Sequence, residues 1–133
     1  MINEYRRTKT TVSLINYHFV FCPRYRRKIF LDSTLEERFK VLVQEICEEL
    51  DIEILAMECD KDHVHLFLNT LPTFSPTDIM AKIKGVTSKK LREEFPYLQH
   101  LPSLWTRSYF VSTAGNVSSE TIRHYVENQK TRG

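Results

Sequence analysis

The chain has 133 residues, of which 41% are hydrophobic and 27% are charged, and its formal net charge is +2. This length suits one domain, residues 1–133, around one core. No apolar run reaches the roughly 18 residues of a transmembrane helix, and the N-terminus lacks the apolar segment of a signal peptide. Three cysteines without CxxC spacing argue against a disulfide framework or a zinc ribbon. We therefore expect a cytoplasmic protein with reduced thiols and no membrane partner.

The first half of the chain predicts a strand, a helix and a hairpin. Residues 12–22 are rich in β-branched and aromatic side chains and predict a strand. Ser33 and Glu36 have the spacing of a capping box and predict a helix start. Residues 52–59 and 63–69 predict two strands joined by a tight turn. The helix carries one apolar stripe of Leu35, Phe39, Leu42, Ile46 and Leu50.

The second half predicts a helix, a strand and a last helix. Ser75, followed by proline, starts a helix that runs to about Phe95. A strand follows at about 108–114, and Ser118 caps a helix over about 119–131. The order β-α-β-β-α-β-α predicts an α+β fold, a ferredoxin-like or RRM-like antiparallel sheet flanked by helices.

Charge is segregated along the chain. Residues 34–60 carry nine acidic and two basic residues, so the remainder carries 17 bases against 8 acids. Solvated faces would explain one such run, but three basic segments favour a nucleic-acid partner. A tyrosine lies between the arginines of the middle segment, as in proteins that stack bases and neutralise phosphates. The three segments are 6–9, 24–28 and 82–92.

A glycine interrupts the basic part of the second predicted helix. Gly85 costs up to about 1 kcal/mol relative to alanine in a helix interior. It allows either the close approach of a phosphate backbone or close packing against another element. The candidate DNA-binding residues are Arg24, Tyr25, Arg26, Arg27, Lys28, Lys82, Lys84, Gly85, Lys89 and Arg92.

Two histidines alternate within an apolar run at His63-Val64-His65. Alternate residues of a strand share a face, so both imidazoles point the same way, away from the apolar face of Val64. Imidazoles are ligands for divalent metals, although either ring could instead be a hydrogen-bonding partner of a neighbouring strand.

The last helix places a phenol and an amide on one face. Tyr125 and Gln129 have i, i+4 spacing and share that face with Ile122 and Val126. The tyrosine could be a packing residue and the glutamine a solvated one. A phenol beside a metal ion is instead a nucleophile beside a Lewis acid, which suggests covalent cleavage of a phosphodiester. His124 points about 100° away from Tyr125, and we expect it at the surface.

The chain resembles the single-tyrosine HUH transposases, the small TnpA enzymes of prokaryotic insertion sequences that move as single-stranded DNA. The resemblance covers about residues 12–130 and is specific because four separate motifs combine. The motifs are Tyr17–Arg27, Asp62–Leu66, Lys84-Gly85 with Ser88, and Tyr125–Gln129.

The resemblance implies that His63 and His65 are metal ligands, Gln129 the third ligand and Tyr125 the nucleophile. It implies Mg²⁺ or Mn²⁺ as cofactor, single-stranded DNA hairpins as substrate and a 5′-phosphotyrosine intermediate that needs no nucleotide cofactor. It also implies a homodimer with composite active sites, in which residues 117–133 form a helix that is either mobile or docked on the partner. Gly115-Asn116 is the expected hinge of that helix.

Three alternatives remain open at this point. A non-catalytic RRM-like module that binds single-stranded nucleic acid would explain the basic segments. A structural zinc site would combine Cys59 with His63 and His65, although a fourth ligand is lacking. A domesticated relative would keep the chemistry and act on repeats in a host genome.

Overall fold

The structure is a computed structural model that describes residues 5–113 and 119–132. The helices within these ranges are too short or too polar to serve as membrane spans. Three 3-10 turns, at Arg24–Arg26, Ile29–Leu31 and Pro96–Leu98, connect the longer elements. These elements are β1 (Arg6–Arg7), β2 (Val12–Ser13), β3 (Ile15–Phe21), α1 (Ser33–Glu49), β4 (Glu53–Asp60), β5 (His63–Thr70), α2 (Pro76–Glu94), β6 (Phe110–Ser112) and α3 (Ser119–Asn128).

The main sheet has four strands in the order β4-β5-β3-β6, and all neighbouring strands are antiparallel. The β3–β5 register is continuous from Ile15 opposite Thr70 to Phe21 opposite Val64. Each of the two outer strands is reached through a helix, which is the ferredoxin-like arrangement. The predicted α+β fold is confirmed.

The first and last predicted strands differ from the observed ones. The strand predicted over 12–22 is divided, because Val12 leaves the main sheet and pairs with Arg7 in a separate two-stranded sheet. The strand predicted over 108–114 is limited to the three residues that pair with β3. The last helix ends at Asn128 rather than about 131. The predicted break at Gly115-Asn116 and the cap at Ser118 lie outside the described residues.

The two long helices begin at different kinds of cap. The side chain of Asp32 accepts hydrogen bonds from the backbone N–H groups of Thr34 and Leu35, so Asp32 is the N-cap of α1. The capping box predicted at Ser33 and Glu36 is therefore wrong: Ser33 is already the first helical residue, and the N–H of Glu36 donates to the backbone carbonyl of Asp32. The start of α2 at Ser75 is confirmed, and Asp78 completes a capping box there.

One face of the sheet is covered by α1 and α2. Alternate residues of β3 and β5, such as Phe19 and Leu66, are fully buried against these helices. Phe39 of α1 packs edge-to-face against Trp105, whose indole N–H donates to Thr87 of α2 at 3.0 Å. This face is the hydrophobic core of the domain.

The opposite face of the sheet, hereafter the open face, carries the intervening residues of the same strands. They include His18 and Val20 on β3 and His63 and His65 on β5, since side chains alternate along a strand. Helix α3 lies across part of this face, where Val126 packs against Val20 and Cys22. The partly buried side chains of Phe110, Ile122 and Tyr125 pack around this cluster. The fold thus places the histidine pair and the C-terminal helix on the same side of the sheet.

Candidate active site

The two histidines of β5 lie side by side on the open face, as predicted. The ring centroids of His63 and His65 are 5.0 Å apart. On the neighbouring strand, Asp60 lies opposite His63 and Glu58 opposite His65. Cys59 lies opposite Val64 and packs against the core, so its thiol is on the other side of the sheet. The structure therefore excludes the zinc site formed by Cys59 and the two histidines.

The surroundings of His65 keep its imidazole neutral. Burial lowers the pKa of His65 below its usual value, and the nearby His63 lowers it further. A neutral imidazole has a lone pair with which it can bind a metal ion. At neutral pH, His65 is therefore in the charge state that a ligand needs.

The buried carboxylate of Asp62 contacts His63. Asp62 is 3% exposed, and one of its oxygens lies 2.9 Å from Nδ1 of His63. Its other oxygen accepts hydrogen bonds from Nε and Nη2 of Arg26, at 3.0 and 2.7 Å. Burial would raise the pKa of Asp62, but the hydrogen bonds from His63 and Arg26 hold it below the usual value. Asp62 is therefore an ionised carboxylate inside the protein.

A third histidine lies behind the pair. Nε2 of His18 is 3.3 Å from Nδ1 of His65, and the His18 ring stacks on Phe67 with centroids 4.0 Å apart. Burial lowers the pKa of His18, followed by the effect of His65. Both of these rings are thus neutral at neutral pH.

A cavity of about 350 Å³ opens above the histidine pair. Helix α3 forms its far wall with Ile122 and Val126. The charged side chains of Arg26, Arg123 and Glu127 are also at this cavity. Among the described residues, neither Tyr125 nor Gln129 lines it.

Tyr125 and Gln129 are held together elsewhere on the open face by one serine. The hydroxyl of Ser108 lies 3.0 Å from the phenolic oxygen of Tyr125 and donates to Oε1 of Gln129 at 2.9 Å. The amide nitrogen of Gln129 donates to the backbone carbonyl of Tyr125 at 3.2 Å. Gln129 is only 2% exposed, so it is not a solvated helix residue. The predicted inward face of this segment is confirmed.

In this arrangement Tyr125 is a poor nucleophile. Burial raises the pKa of its phenol to about 12, although the hydrogen bond with Ser108 acts in the opposite direction. His124 is not available as a base, since its side chain is 67% exposed and lies 3.7 Å from Glu120. The structure thus forms two groups on one face, His63 with His65 and Tyr125 with Gln129, and leaves them apart.

A buried lysine supports the segment that carries Ser108. Nζ of Lys84 donates to the backbone carbonyls of Thr106 and Ser108, at 2.6 and 3.0 Å. Burial lowers the pKa of Lys84 to about 8. Leu104 of the same segment donates its N–H to the hydroxyl of Ser88. Two residues of the Lys84-Gly85 and Ser88 motif therefore position the loop against which Tyr125 rests.

The basic cluster at 24–28 divides into two parts. Arg24 donates to the hydroxyl of Ser103 at 2.9 Å, and Arg26 is bound to Asp62, so these two arginines hold loops in place. Tyr25, Arg27 and Lys28 are exposed. Tyr25 has a left-handed backbone with φ of 57° and its side chain is 47% exposed, which presents the ring to solvent. The exposed part of the cluster keeps the composition of a DNA-binding surface.

A larger cavity of about 910 Å³ lies beside α2. A Cβ built on Gly85 would meet no atom within 4 Å in the described part of the chain, so close packing there does not account for this glycine. Lys82 is not among the described residues that line the cavity; its ammonium lies 3.6 Å from Glu49 of α1. The DNA-binding candidates of α2 that line it are Lys84, Gly85, Lys89 and Arg92, and Arg107 joins them.

Sequence reasoning missed three residues that organise the site. Asp62 is adjacent to His63, and that position alone was a usable signal for a supporting carboxylate. His18 and Ser108 carry no local signal, because they reach His65 and Tyr125 through contacts 47 and 17 residues apart in sequence. Only the assembled sheet and loop bring these pairs together.

The comparisons with known proteins identify the family of the chain. The family model described as "Transposase IS200 like" matches residues 11–129. The chain belongs to this transposase family. The matched region includes His63, His65, Tyr125 and Gln129, so both groups of candidate residues lie within it.

Individual relatives support the same assignment. The chain is 35% identical over 118 residues to the transposase of insertion sequence element IS200 from Salmonella typhimurium, covering 85% of this chain and 75% of the relative. It is 26% identical over 129 residues to the ISDra2 transposase TnpA of Deinococcus radiodurans, covering 95% and 91% of the two chains. As a member of this family, the protein is a transposase, that is, a DNA-cleaving enzyme.

Solved structures match the fold. A crystal structure of a Deinococcus radiodurans protein assigned as a transposase superposes with a TM-score of 0.84 at 28% identity, covering 93% of this chain and 97% of that one. A REP-associated tyrosine transposase bound to a REP hairpin superposes with a TM-score of 0.53 at 17% identity, covering 95% and 69%. The second likeness concerns the fold alone.

Proposed function

We propose that this transposase cleaves and rejoins single-stranded DNA at hairpin-marked element ends, with Tyr125 as the nucleophile. The observation that carries the proposal is the placement of His63 and His65 on the open face of the sheet, under the helix that carries Tyr125. A polar pair at this position contributes nothing to the core. It is the arrangement expected of a site that binds a phosphate and a cation.

The histidine pair fits a divalent cation, Mg²⁺ or Mn²⁺. His65 is neutral, His63 has its Nδ1 bound to Asp62, and both rings border the same cavity. A bound divalent ion supplies a Lewis acid that polarises a non-bridging oxygen of the scissile phosphate. Gln129 is the third proposed ligand. To reach the histidines, its side chain must first break its hydrogen bond with Ser108.

The reaction requires α3 to change position. The phenol of Tyr125 has a pKa of about 12 where it rests on Ser108, so it loses its proton only after it leaves that environment. A shift of α3 within one chain, or the last helix of a second copy, would bring tyrosine and glutamine to the histidines. We propose the second arrangement, a homodimer with composite sites.

In the proposed chemistry, the Tyr125 oxygen attacks the phosphorus and the bond to the 3′ oxygen breaks. The products are a 5′-phosphotyrosine and a 3′-hydroxyl that takes up a proton. The phosphotyrosine keeps the free energy of the phosphodiester, so rejoining to another 3′ end needs no nucleotide cofactor.

The cationic cavity beside α2 and the exposed residues of the 24–28 cluster are the proposed DNA surfaces. Lys89, Arg92 and Arg107 place positive charge around an opening in which Gly85 leaves room for a backbone to approach. Hairpin DNA is the proposed ligand of these surfaces; the REP-associated tyrosine transposase, which has a similar fold, is itself bound to a REP hairpin.

A covalent-capture experiment tests the proposal. The protein is incubated with labelled single-stranded hairpin DNA and Mg²⁺ or Mn²⁺, then separated by denaturing electrophoresis. We expect a protein–DNA band that disappears in Tyr125→Phe and with chelator. With His63 and His65 both changed to alanine, we expect at least about a 10²-fold loss, because a metal ion contributes several kcal/mol to such reactions.

The matched control is Tyr97→Phe, which removes an exposed phenol that donates to Asp32 and lines a different cavity from the one above the histidine pair. This variant should keep the covalent band. Tight DNA binding without a band across varied hairpins and both metals would instead support a non-catalytic binding module. A band that persists in Tyr125→Phe would rule out Tyr125 as the nucleophile.

A further inference from the structure

The contact between Asp62 and His63 determines which nitrogen of His63 carries the proton. Asp62 is buried, and one of its oxygens accepts two hydrogen bonds from the guanidinium of Arg26, a charge-assisted pair in which the carboxylate only accepts hydrogen bonds. At 2.9 Å from the carboxylate oxygen, Nδ1 of His63 must therefore be the donor. In the neutral ring the proton is then on Nδ1, and the lone pair is on Nε2. The carboxylate of Asp60 lies 3.7 Å from Nε2, but its side chain is 65% exposed, so it competes for the proton less than the buried Asp62 at 2.9 Å does.

Arg26 holds the carboxylate in this orientation. Its guanidinium donates twice to one oxygen of Asp62, which leaves the other oxygen to face His63. The Asp62 side chain is 4% exposed and that of Arg26 is 23% exposed, so the pair is largely shielded from water. Such a charge-assisted pair has a fixed geometry, unlike a solvated carboxylate on a mobile side chain.

The other histidine has no comparable partner. Nδ1 of His65 lies 3.3 Å from Nε2 of His18, and either nitrogen can be the donor. Nδ1 of His18 is buried and has no hydrogen-bond partner among the described residues, whichever tautomer His18 adopts. The contact between these two neutral rings therefore does not fix the tautomer of His65 as a carboxylate would.

We infer that Asp62, held by Arg26, is a positioning residue that fixes His63 in the tautomer presenting Nε2 to a cation. His63 is then the pre-organised ligand of the pair, and His65 must select its tautomer when the ion binds. This inference rests on the metal site of the proposed function. Carboxylates that bind the second nitrogen of a ligating histidine orient the ring and raise its basicity.

The first test needs no metal. Nitrogen-15 NMR of the metal-free protein at pH 8 distinguishes the two tautomers of each histidine ring. We expect His63 to carry its proton on Nδ1 in the unaltered protein. A result with the proton on Nε2 would overturn the inference without any variant being made.

The variant Asp62→Asn is expected to reverse the tautomer. Arg26 has only donors, so the amide oxygen of the asparagine turns toward Arg26 and its NH₂ group faces His63. Nδ1 of His63 must then accept a hydrogen bond, and its proton moves to Nε2, the nitrogen needed for the cation. A thermal unfolding curve confirms that the variant is folded before the NMR result is interpreted.

The second test measures Mn²⁺ binding by the EPR signal of the free ion. We expect Asp62→Asn to weaken binding about 10- to 100-fold, the usual effect of losing such a supporting carboxylate. Glu58→Gln is the matched control, because it removes the same charge from an exposed position opposite His65. Its effect should be clearly smaller, since an exposed charge is screened by solvent.

The outcomes separate the inference from the proposed function. Unchanged Mn²⁺ affinity in Asp62→Asn, with the His63 proton still on Nδ1, would overturn the inference. If the unaltered protein binds no Mn²⁺ but the tautomer reverses in the variant, the positioning role stands and the metal site of the proposed function fails. Equal losses in Asp62→Asn and Glu58→Gln would show a general charge effect and would also overturn the inference.

Discussion

The two faces of the main sheet are built from the same strands but differ in what they bury. The core face meets α1 and α2 with fully buried side chains such as Phe19, Leu66 and Phe39. The open face carries histidines and meets α3 through a small apolar group around Val126. The core face therefore stabilises the fold. The open face carries polar groups, whose burial costs free energy.

The difference between the two faces bears on the proposed movement of α3. Beyond its small apolar contact, α3 and the residues that follow it are held by the hydrogen bonds that Ser108 makes with Tyr125 and Gln129, and by the bond from the backbone N–H of Tyr25 to the carbonyl of Arg132. Segments with few buried contacts open at a lower free energy than the core does. A helix held in this way can leave the sheet while α1 and α2 remain packed.

The largest expected effect is on stability at the core face. Phe39→Ala should lower the free energy of unfolding by about 3–5 kcal/mol, because it removes a fully buried ring that packs against Phe21, Phe30 and Trp105. Urea unfolding measures the change. The counterpart Phe67→Ala, on the open face, should cost clearly less because its ring is only partly buried. Equal losses would contradict the distinction between the faces.

A smaller effect is expected where α3 meets the sheet. Ser108→Ala removes a hydroxyl that bonds both Tyr125 and Gln129, and it should cost about 0.5–1.5 kcal/mol. Hydrogen exchange should accelerate in α3 and remain slow in α1. The control Ser33→Ala removes an exposed hydroxyl at the start of α1 and should change stability by less than about 0.5 kcal/mol. Unaltered exchange in α3 would argue against Ser108 as the contact that holds the helix.

The smallest effect has the opposite sign and concerns the outer side of α2. Gly85→Ala should raise the free energy of unfolding by up to about 1 kcal/mol, because the added Cβ meets open space and alanine favours the helix. Fluorescence anisotropy with labelled hairpin DNA should show weaker binding if a DNA backbone approaches this position.

The matched control for that experiment is Ala81→Gly, at an exposed position of the same helix that lines the same cavity. It should lower stability by about 1 kcal/mol and leave DNA affinity unchanged. If Gly85→Ala stabilises the protein and binds DNA as before, the glycine is not a contact site for DNA.

Local patterns in the sequence determined most of the elements and the faces they present. Alternation along β5 placed His63 and His65 together, and helical spacing placed Tyr125 and Gln129 on the buried side of α3. These predictions succeeded because side-chain direction in a strand or helix follows from the backbone alone. The start of α1 failed because two capping residues, Asp32 and Ser33, are adjacent and local spacing does not choose between them.

Only the tertiary structure determined which of these groups are in contact. The bond from Arg26 to Asp62 joins two loops, the contact of His18 with His65 depends on the β3–β5 register, and Ser108 meets Tyr125 through the path of a loop. Periodicity carries no information about such contacts, since they arise only when distant segments pack. The sequence by itself therefore put forward the candidate groups, whereas packing determined which partners contact His63 and Tyr125.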